Sequence, residues 1–159
     1  MRNLIDNKTN TIYSCDIINR IAELQELVDE QQDRIEEIKE TLDYEQEQLT
    51  VASIAELEDE LAELQNRNYL YCEKGELADL NKLAEEASSV TSEWEYGVSL
   101  IRDSHFKKHT IDEAYAIEES DKLGYWPFNC IDWDKATEEL RADYTSIDFD
   151  GVTYLVCHN

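Results

Sequence analysis

Two pairs of aspartates near the C-terminus have the spacing that acid–base catalysis or a metal site would use. Asp132 and Asp134 lie in the segment CIDWDK, and Asp148 and Asp150 lie in DFDG. A calcium loop of the EF-hand type needs several further oxygen ligands, and the residues VTYLVCHN that follow Gly151 contain no acid. In a chain with 38 acidic residues, such pairs also arise by chance. We therefore interpret Asp150-Gly151 as a hairpin turn and not as a metal site.

The histidines and cysteines also lack the surroundings of a reactive site. His105 and His109 are spaced as zinc ligands on one helix face would be, but the intervening Lys107 and Lys108 would repel a cation. The four cysteines are far apart and include no CxxC pair, so free thiols are expected. Cys130 has acidic neighbours, which disfavour a reactive thiolate. We therefore expect neither an enzymatic activity nor a metal or other cofactor.

The charge of the chain restricts the partners that it can bind. The sequence has 159 residues, of which 38 are acidic and 14 basic, and its formal net charge is −24. Disordered acidic tails are poor in apolar and aromatic residues, whereas 42% of this chain is hydrophobic and nine residues are tyrosines. We therefore expect a folded acidic protein. Its field would repel nucleic acid and anionic lipid and attract basic surfaces, so direct nucleic-acid binding and membrane binding are not expected.

The sequence also contains no segment that would direct it into or across a membrane. No run approaches the roughly 18 apolar residues of a membrane-spanning helix. The first residues, MRNLIDNKTNTIYSC, have no apolar core of a signal peptide. These features predict a cytoplasmic protein.

The elements that must position the acidic residues begin with a long heptad pattern. Residues 1–15 are polar and mixed, and we predict a flexible lead-in there. From Asp16 onward, apolar residues recur at spacings of three and four, as in a coiled coil, with polar interruptions at Gln31 and Glu45. The apolar positions are Ile17, Ile21, Leu24, Val28, Ile35, Ile38, Leu42 and Leu49. This seam predicts a helix about 50 Å long.

Two further helical patterns follow the seam. Ser53 and Glu56 match the capping-box pattern and predict the start of a second helix. Its apolar residues are Ile54, Leu57, Leu61 and Leu64. The two helices could form an antiparallel hairpin or one continuous helix that dimerises. Gly75 is expected to end a helix or open a turn, and a third pattern follows it. Its apolar residues are Leu77, Leu80, Leu83, Ala84 and Ala87. We assign 16–90 to a helical coiled-coil region and place a boundary in the polar run 88–93.

Residues 94–159 predict a small acidic α+β domain. A helix capped by Asp103 or Ser104 should run to about Asp121 and end at Gly124. Its inward residues should be Phe106, Tyr115 and Ile117.

The end of this domain predicts one more helix and a hairpin. Asp132 is a plausible N-cap, and Asp134 lies in the first turn, where the helix dipole favours a negative charge. Apolar residues then alternate around Asp150-Gly151, which predicts a β-hairpin. The expected fold class is mostly α: a long coiled-coil-like helical hairpin followed by a small α+β domain that ends in a β-hairpin.

Acidic residues crowd the positions off the seam of the long helix, where the bases are Arg20, Arg34 and Lys39. Repulsion between like charges at i, i+4 costs a few tenths of a kcal/mol per pair, so this pattern indicates a function and not stability. A net charge of −24 equals that of about 12 base pairs of DNA. We therefore hypothesise imitation of nucleic acid. The candidate partner-binding residues are Glu26, Asp29, Glu30, Asp33, Glu36, Glu37 and Glu40 in the long helix and Asp132, Asp134, Glu138, Glu139, Asp143, Asp148 and Asp150 in the C-terminal domain.

Part of the C-terminal domain resembles a known family. The segments YGVSLIRDSHF (96–106) and IDWDKATEELRADY (131–144) are similar to the C-terminal part of ArdA-type antirestriction proteins, and the resemblance spans about residues 94–156. That family consists of acidic DNA mimics that occupy the DNA groove of type I restriction–modification enzymes. The first 90 residues depart from it, since ArdA-type chains are built of several small acidic α/β modules.

The resemblance implies a phage-type inhibitor that acts without catalysis in the host bacterial cytoplasm. Its partner would be a basic DNA-binding protein of the host, such as a restriction–modification or CRISPR nuclease complex. The alternative is a coiled-coil scaffold or assembly protein that self-associates through the 17–49 seam, for example as a homodimer. A third alternative is a regulator that captures a basic protein without imitating the geometry of DNA.

Overall fold

The computed structural model describes residues 5–44, 49–118, 125–126 and 128–158. Within these ranges the protein is mostly helical and has one small antiparallel sheet of four strands, in agreement with the expected mixture of elements. The helices are α1 (Ser14–Tyr44), α2 (Val51–Leu64), α3 (Tyr71–Val90), α4 (Trp94–Gly97), α5 (Phe106–Glu118) and α6 (Trp133–Arg141). The strands are β1 (Thr11–Tyr13), β2 (Ser99–Arg102), β3 (Tyr144–Phe149) and β4 (Val152–Cys157). No helix in the described ranges is long and apolar enough to cross a membrane.

The chain divides into two compact units. The first unit contains Met1–Arg20 and Asp79–Asn159, and the second is the continuous segment Ile21–Ala78. The units therefore divide within α1 and within α3, and not at the polar run 88–93 that the sequence suggests. The reason is that the N-terminal residues join the sheet of the first unit, which sequence patterns did not show.

The N-terminal segment contains an edge strand, β1, where the sequence predicts only a lead-in over residues 1–15. β1 pairs antiparallel with β2, and the Tyr154 hydroxyl donates a hydrogen bond to the Thr9 carbonyl at 2.8 Å. Ile12 is the buried residue of this strand. A three-residue strand with one buried side chain carries too short a periodic pattern to be recognised in a sequence.

The β3–β4 hairpin has the turn that the sequence predicts. Phe149 pairs with Val152, so Asp150 and Gly151 form a two-residue loop. Their φ angles are 49° and 74°, which is the left-handed backbone of a type I′ turn. Glycine accepts this conformation without strain, and aspartate is among the few other residues that tolerate it.

The four strands are arranged in the order β1-β2-β4-β3, and each neighbouring pair is antiparallel. On one face of the sheet, Ile101 and Leu155 pack with Phe106 of α5. Leu140 of α6 and Tyr144 pack against this cluster, and the rings of Phe106 and Tyr144 lie edge to face with centroids 4.8 Å apart. The helices α5 and α6 therefore cover this face.

The opposite face of the sheet is also apolar. Its buried side chains are Ile12, Leu100, Ile147, Phe149, Tyr154 and Val156. Leu83 of α3 lines the same cavity as Phe149, so the end of α3 lies on this side. The central part of the sheet is therefore buried on both faces.

In the second unit, α1 and α2 contact each other through apolar and polar side chains. Ile35 and Ile38 form a buried cluster with Leu64. Gln31 donates a hydrogen bond to the Leu64 carbonyl, and Arg34 donates to Glu60. These contacts run antiparallel along the two helices. Heptad coiled-coil packing along the whole 17–49 seam stays a prediction, and Glu45 lies outside the described residues.

The second helix begins earlier than the sequence predicts. Thr50, and not Ser53, is the N-cap: its hydroxyl accepts a hydrogen bond from the Ser53 backbone N–H at 3.2 Å. The helix therefore starts at Val51. The assignment of Ser53 and Glu56 as a capping box is therefore wrong. Thr50 and Ser53 are both residue types that cap helices, but Thr50 has the extended backbone of an N-cap, with φ −74° and ψ 155°, whereas Ser53 lies inside the helix.

Gly75 lies inside α3, so the helix end or turn predicted at this glycine is wrong. The turn occurs before Tyr71, where the Asn66 side chain accepts a hydrogen bond from the Asn68 backbone at 2.9 Å. Leu70 then has a φ of 52°. A leucine with a left-handed backbone is rare, so residue preferences would not assign this position to a turn.

The helices of the C-terminal part follow the prediction in part. Asp132 caps α6 by accepting hydrogen bonds from the N–H groups of Asp134 and Lys135 at 3.1 and 3.2 Å, as predicted. α5 begins at Phe106 after a 3₁₀ turn over Asp103–His105.

Two expectations for α5 have different outcomes. Phe106 is buried, as predicted, but Tyr115 is exposed over 45% of its surface, so its predicted inward position is wrong. The side chain of Ile117 and the predicted helix end near Asp121 and Gly124 lie outside the described residues.

Candidate functional site

One side of α1 carries all seven acids that the sequence proposes on this helix. We call this set the α1 acidic face, and its members are Glu26, Asp29, Glu30, Asp33, Glu36, Glu37 and Glu40. Every one of them is exposed. At 3.6 residues per turn, they lie opposite the buried side chains of Leu24, Gln31, Ile35 and Ile38. α1 therefore has an apolar side that is used in the core and an acidic side that is left to solvent.

The spacing of charge along the α1 acidic face is close to that of a nucleic-acid strand. Glu26 and Glu40 are about 21 Å apart along the helix axis, which gives about one carboxylate per 3.5 Å. One strand of B-DNA carries a phosphate about every 3.4 Å. The bases within this interval are Arg34 and Lys39. The net charge of the interval is strongly negative.

Some carboxylates of the α1 acidic face have partners one helical turn away. Three accept side-chain hydrogen bonds at 2.7–3.3 Å: Asp29 from Gln25, Glu36 from Gln32 and Glu37 from Arg34. The other four have neither a hydrogen bond nor an ion pair to their side chains within the described residues: Glu26, Glu30, Asp33 and Glu40. These four are available to cations of another molecule.

Arg34 connects the α1 acidic face to α2. Its Nε and Nη2 donate to the two carboxylate oxygens of Glu60 at 2.7 and 2.9 Å, and its Nη1 donates to Glu37 at 2.7 Å. These hydrogen bonds raise the pKa of Arg34 further above its ordinary value and lower the pKa of Glu60. Arg34 is thus already paired with two carboxylates, so its positive charge does not compensate the other acids of the α1 acidic face.

The acids proposed in the C-terminal domain are exposed, but three of them accept hydrogen bonds from other residues of the same unit. Asp132 caps α6. Asp148 accepts a hydrogen bond from the Gly151 backbone at 3.2 Å within the hairpin turn, and Asp150 accepts one from the Asn7 side chain at 3.1 Å. Asp132 is therefore a helix cap and Asp150 lies in a hairpin turn, as predicted.

The remaining acids of this set lie on or next to α6. Asp134 pairs with Lys107 at 2.6 Å, and Glu139 lies 3.8 Å from the Lys135 ammonium. The side chains of Glu138 and Asp143 have no hydrogen bond or ion pair among the described residues. The structure therefore gathers the α1 acids on one surface, whereas it distributes the C-terminal acids over a helix and a hairpin with other roles.

A cavity of about 290 Å³ lies beside the α1 acidic face in the second unit. Its lining includes Leu27, Glu30, Gln31, Arg34, Tyr69 and Leu70. We call it the α1–α2 cavity. The sequence does not indicate this cavity, because its walls come from two helices and a turn that are far apart in the chain.

The described residues offer little to covalent or metal chemistry. They contain no group of three or more His, Cys, Asp or Glu that could hold a metal ion, and none of the four cysteines forms a disulfide with another described residue. His109 is half-buried, and burial lowers its pKa, while its Nε2 lies 3.4 Å from the Tyr144 hydroxyl. Burial also raises the pKa of the Cys157 thiol, which makes it less nucleophilic at neutral pH.

The chain matches no protein-family model, no curated protein and no solved structure. The resemblance of residues 94–156 to ArdA-type antirestriction proteins therefore stays a prediction. The observations that bear on function are therefore the exposed charge of the molecule and the positions of the charged residues on its helices.

Proposed function

We propose that the protein is a non-enzymatic inhibitor that imitates DNA and occupies the DNA-binding groove of a basic host protein. A restriction–modification enzyme or another DNA-binding nuclease of a defence system fits this description. The observation that carries the proposal is the α1 acidic face, whose charge per unit length is close to that of one DNA strand. The resemblance to ArdA-type proteins supports the same class of function.

Stability alone does not account for this face. Like charges one turn apart repel each other by a few tenths of a kcal/mol per pair, and four of the seven carboxylates have no intrachain partner within the described residues. A basic groove would supply cations to these carboxylates. Binding would also be favoured by the release of counterions and water from the two surfaces. The field of the protein also accelerates encounter with a positively charged surface.

The alternative function is a coiled-coil scaffold that self-associates through the 17–49 seam. Ile35 and Ile38 of that seam are 7% and 1% exposed and already pack with Leu64 of the same chain. Association through the seam would have to replace these contacts. This burial favours the inhibitor, which needs only the exposed side of α1.

The proposal is tested with two variants that have equal net charge. The face variant neutralises the four unpartnered acids with Glu26→Gln, Glu30→Gln, Asp33→Asn and Glu40→Gln. The control variant neutralises four exposed acids of α2 with Glu56→Gln, Glu58→Gln, Asp59→Asn and Glu63→Gln. Target proteins are captured from a bacterial lysate at low salt, eluted at high salt and identified by mass spectrometry.

The decisive measurement is competition with DNA. Fluorescence anisotropy reports how well each variant displaces a labelled duplex from the captured protein. We expect the natural chain and the control variant to displace the duplex and the face variant to be at least about tenfold weaker. Direct binding of the natural chain to the captured protein should weaken steeply between about 50 and 500 mM salt. Mimicry through this face is wrong if the duplex stays bound at saturating inhibitor or if the two variants are equally weakened.

A further inference from the structure

The α1–α2 cavity differs in character from the acidic surface around it. Leu27 and Tyr69 line it and remain 39% and 37% exposed. Leu64, which is 8% exposed, also lines it. Apolar walls of this kind, open to solvent beside a row of carboxylates, are suited to a side chain with an apolar stem and a charged end.

The polar groups of the cavity are mainly hydrogen-bond acceptors. Gln31 is 8% exposed, and its Nε2 donates to the Leu64 carbonyl, which fixes the orientation of the amide because a carbonyl can only accept. The Gln31 Oε1 accepts no hydrogen bond from a described residue. The carboxylate of Glu30, which also lines the cavity, has no hydrogen bond or ion pair to the part of the chain that the structure describes. A buried acceptor without a donor is costly, so Gln31 favours a ligand that donates a hydrogen bond. The exposed carboxylate of Glu30 attracts a cation to the same place.

Arg34 lines the cavity but does not satisfy these acceptors. Three of its N–H donors already point to the carboxylates of Glu60 and Glu37. Those two acids and Glu30 outnumber the single guanidinium, so the cavity and its rim are negative. An incoming cation is therefore attracted and not repelled.

We propose that the α1–α2 cavity receives one arginine side chain from the basic partner, an inference that rests on the proposed function and adds an anchor to it. The aliphatic stem would contact Leu27, and the guanidinium would lie against the Tyr69 ring and donate to Glu30 and Gln31. Arginine fits better than lysine because its planar group stacks on aromatic rings and offers five donors. A leucine would leave both acceptors without a donor.

Three hexapeptides and the full chain test this inference. One peptide is all lysine, and the others have the third lysine replaced by arginine or by leucine. Affinity is measured by anisotropy of a label on the peptide. We expect the arginine peptide to bind about fivefold more tightly than the lysine peptide, and the leucine peptide to bind most weakly. The backbone amide NMR signals of Tyr69 and Leu70 should shift most with the arginine peptide.

Variants of the chain assign the preference to the cavity. Glu30→Gln and Tyr69→Leu should each reduce the arginine-over-lysine ratio towards one. Glu40→Gln, a matched loss of one charge on the same helix outside the cavity lining, should weaken both peptides and leave the ratio unchanged. Circular dichroism checks that each variant keeps its helical content.

The outcomes separate this inference from the proposed function. If both cationic peptides bind with steep salt dependence but equally well, or if Glu30→Gln keeps the ratio, the arginine anchor is wrong and the acidic capture surface stands. Tighter binding of the leucine peptide would also overturn the anchor. If no peptide binds with salt dependence, the proposed function fails as well.

Discussion

Arg34 and Glu60 form a two-point ion pair between α1 and α2, with the guanidinium Nε and Nη2 2.7 and 2.9 Å from the two carboxylate oxygens. Both side chains remain substantially exposed, so the pair contributes little to stability. It joins the two helices next to the cluster of Ile35, Ile38 and Leu64.

This ion pair makes the stability of the second unit depend on pH. The pKa of Glu60 is lowered in the folded protein, mainly by its hydrogen bond to Arg34. A lowered carboxyl pKa adds stability above the unfolded value of about 4.5, and that stability is lost as the pH falls through the folded pKa. We expect Glu60→Gln to lower Tm slightly at pH 7, and this difference to shrink as the pH falls through the folded pKa of Glu60, as measured by circular dichroism. Glu58→Gln is the control, and equal behaviour of the two variants would contradict the role of the pair.

The contribution of the α6 N-cap to the free energy of unfolding should be measurable with one substitution. Asp132→Ala removes the acceptor for two backbone N–H groups and should cost about 1 kcal/mol in urea unfolding. Asp132→Asn keeps an acceptor at the same place and should cost much less. If the alanine and asparagine variants are equally destabilised, charge and not capping explains the effect of Asp132.

The docking of the N-terminal segment on the sheet depends partly on one hydroxyl. Tyr154 is 0% exposed, burial raises its pKa, and it therefore stays protonated as the donor to the Thr9 carbonyl. Tyr154→Phe should cost about 1 kcal/mol and accelerate amide hydrogen exchange in β1. Tyr13→Phe changes a tyrosine that is 54% exposed and should have neither effect. Unchanged exchange in Tyr154→Phe would show that the strand is held without this bond.

His109 should make the first unit less stable in mild acid. Burial is the main cause that lowers its pKa below 6.5, and His105 adds to it, while Glu113 and Asp112 act in the opposite direction. The neutral ring is therefore favoured by folding, so stability is present above about pH 6.5 and falls as the pH drops through the folded pKa. Urea unfolding at pH 8 and pH 5 should show a larger loss for the natural chain than for His109→Gln. His158→Gln, at an exposed histidine, should behave like the natural chain, and an NMR titration of the His109 ring that gives a pKa above 6.5 would contradict the prediction.

Local signals account for the parts of the fold that the sequence predicts. Asp150-Gly151 specifies its turn through backbone preference, and Asp132 marks a helix start through its own side chain. The acidic side of α1 could be predicted too, because the heptad seam determines which positions face solvent.

Features that depend on distant contacts could not be predicted in this way. The heptad pattern marks Gln31 only as a polar interruption of the seam, whereas its side chain makes a buried hydrogen bond to the Leu64 carbonyl. The α1–α2 cavity needs Leu27 and Tyr69 to meet across the turn that precedes α3. The spacing of Leu27 and Tyr69 along the chain does not indicate that they are neighbours in the folded protein.

The position of β4 in the sheet has a consequence for the order in which the protein can be made. β4 lies between β2 and β3 and is the partner of both, yet it is the last strand in the chain. While residues 152–157 are still to be synthesised, the continuous segment Ile21–Ala78 is already complete, but β3 has no strand to pair with. Hydrogen exchange on a chain that stops at Gly151 would measure this state. The sheet of the first unit is therefore completed only when residues 152–157 have been synthesised, because β4 joins β3 to the other two strands.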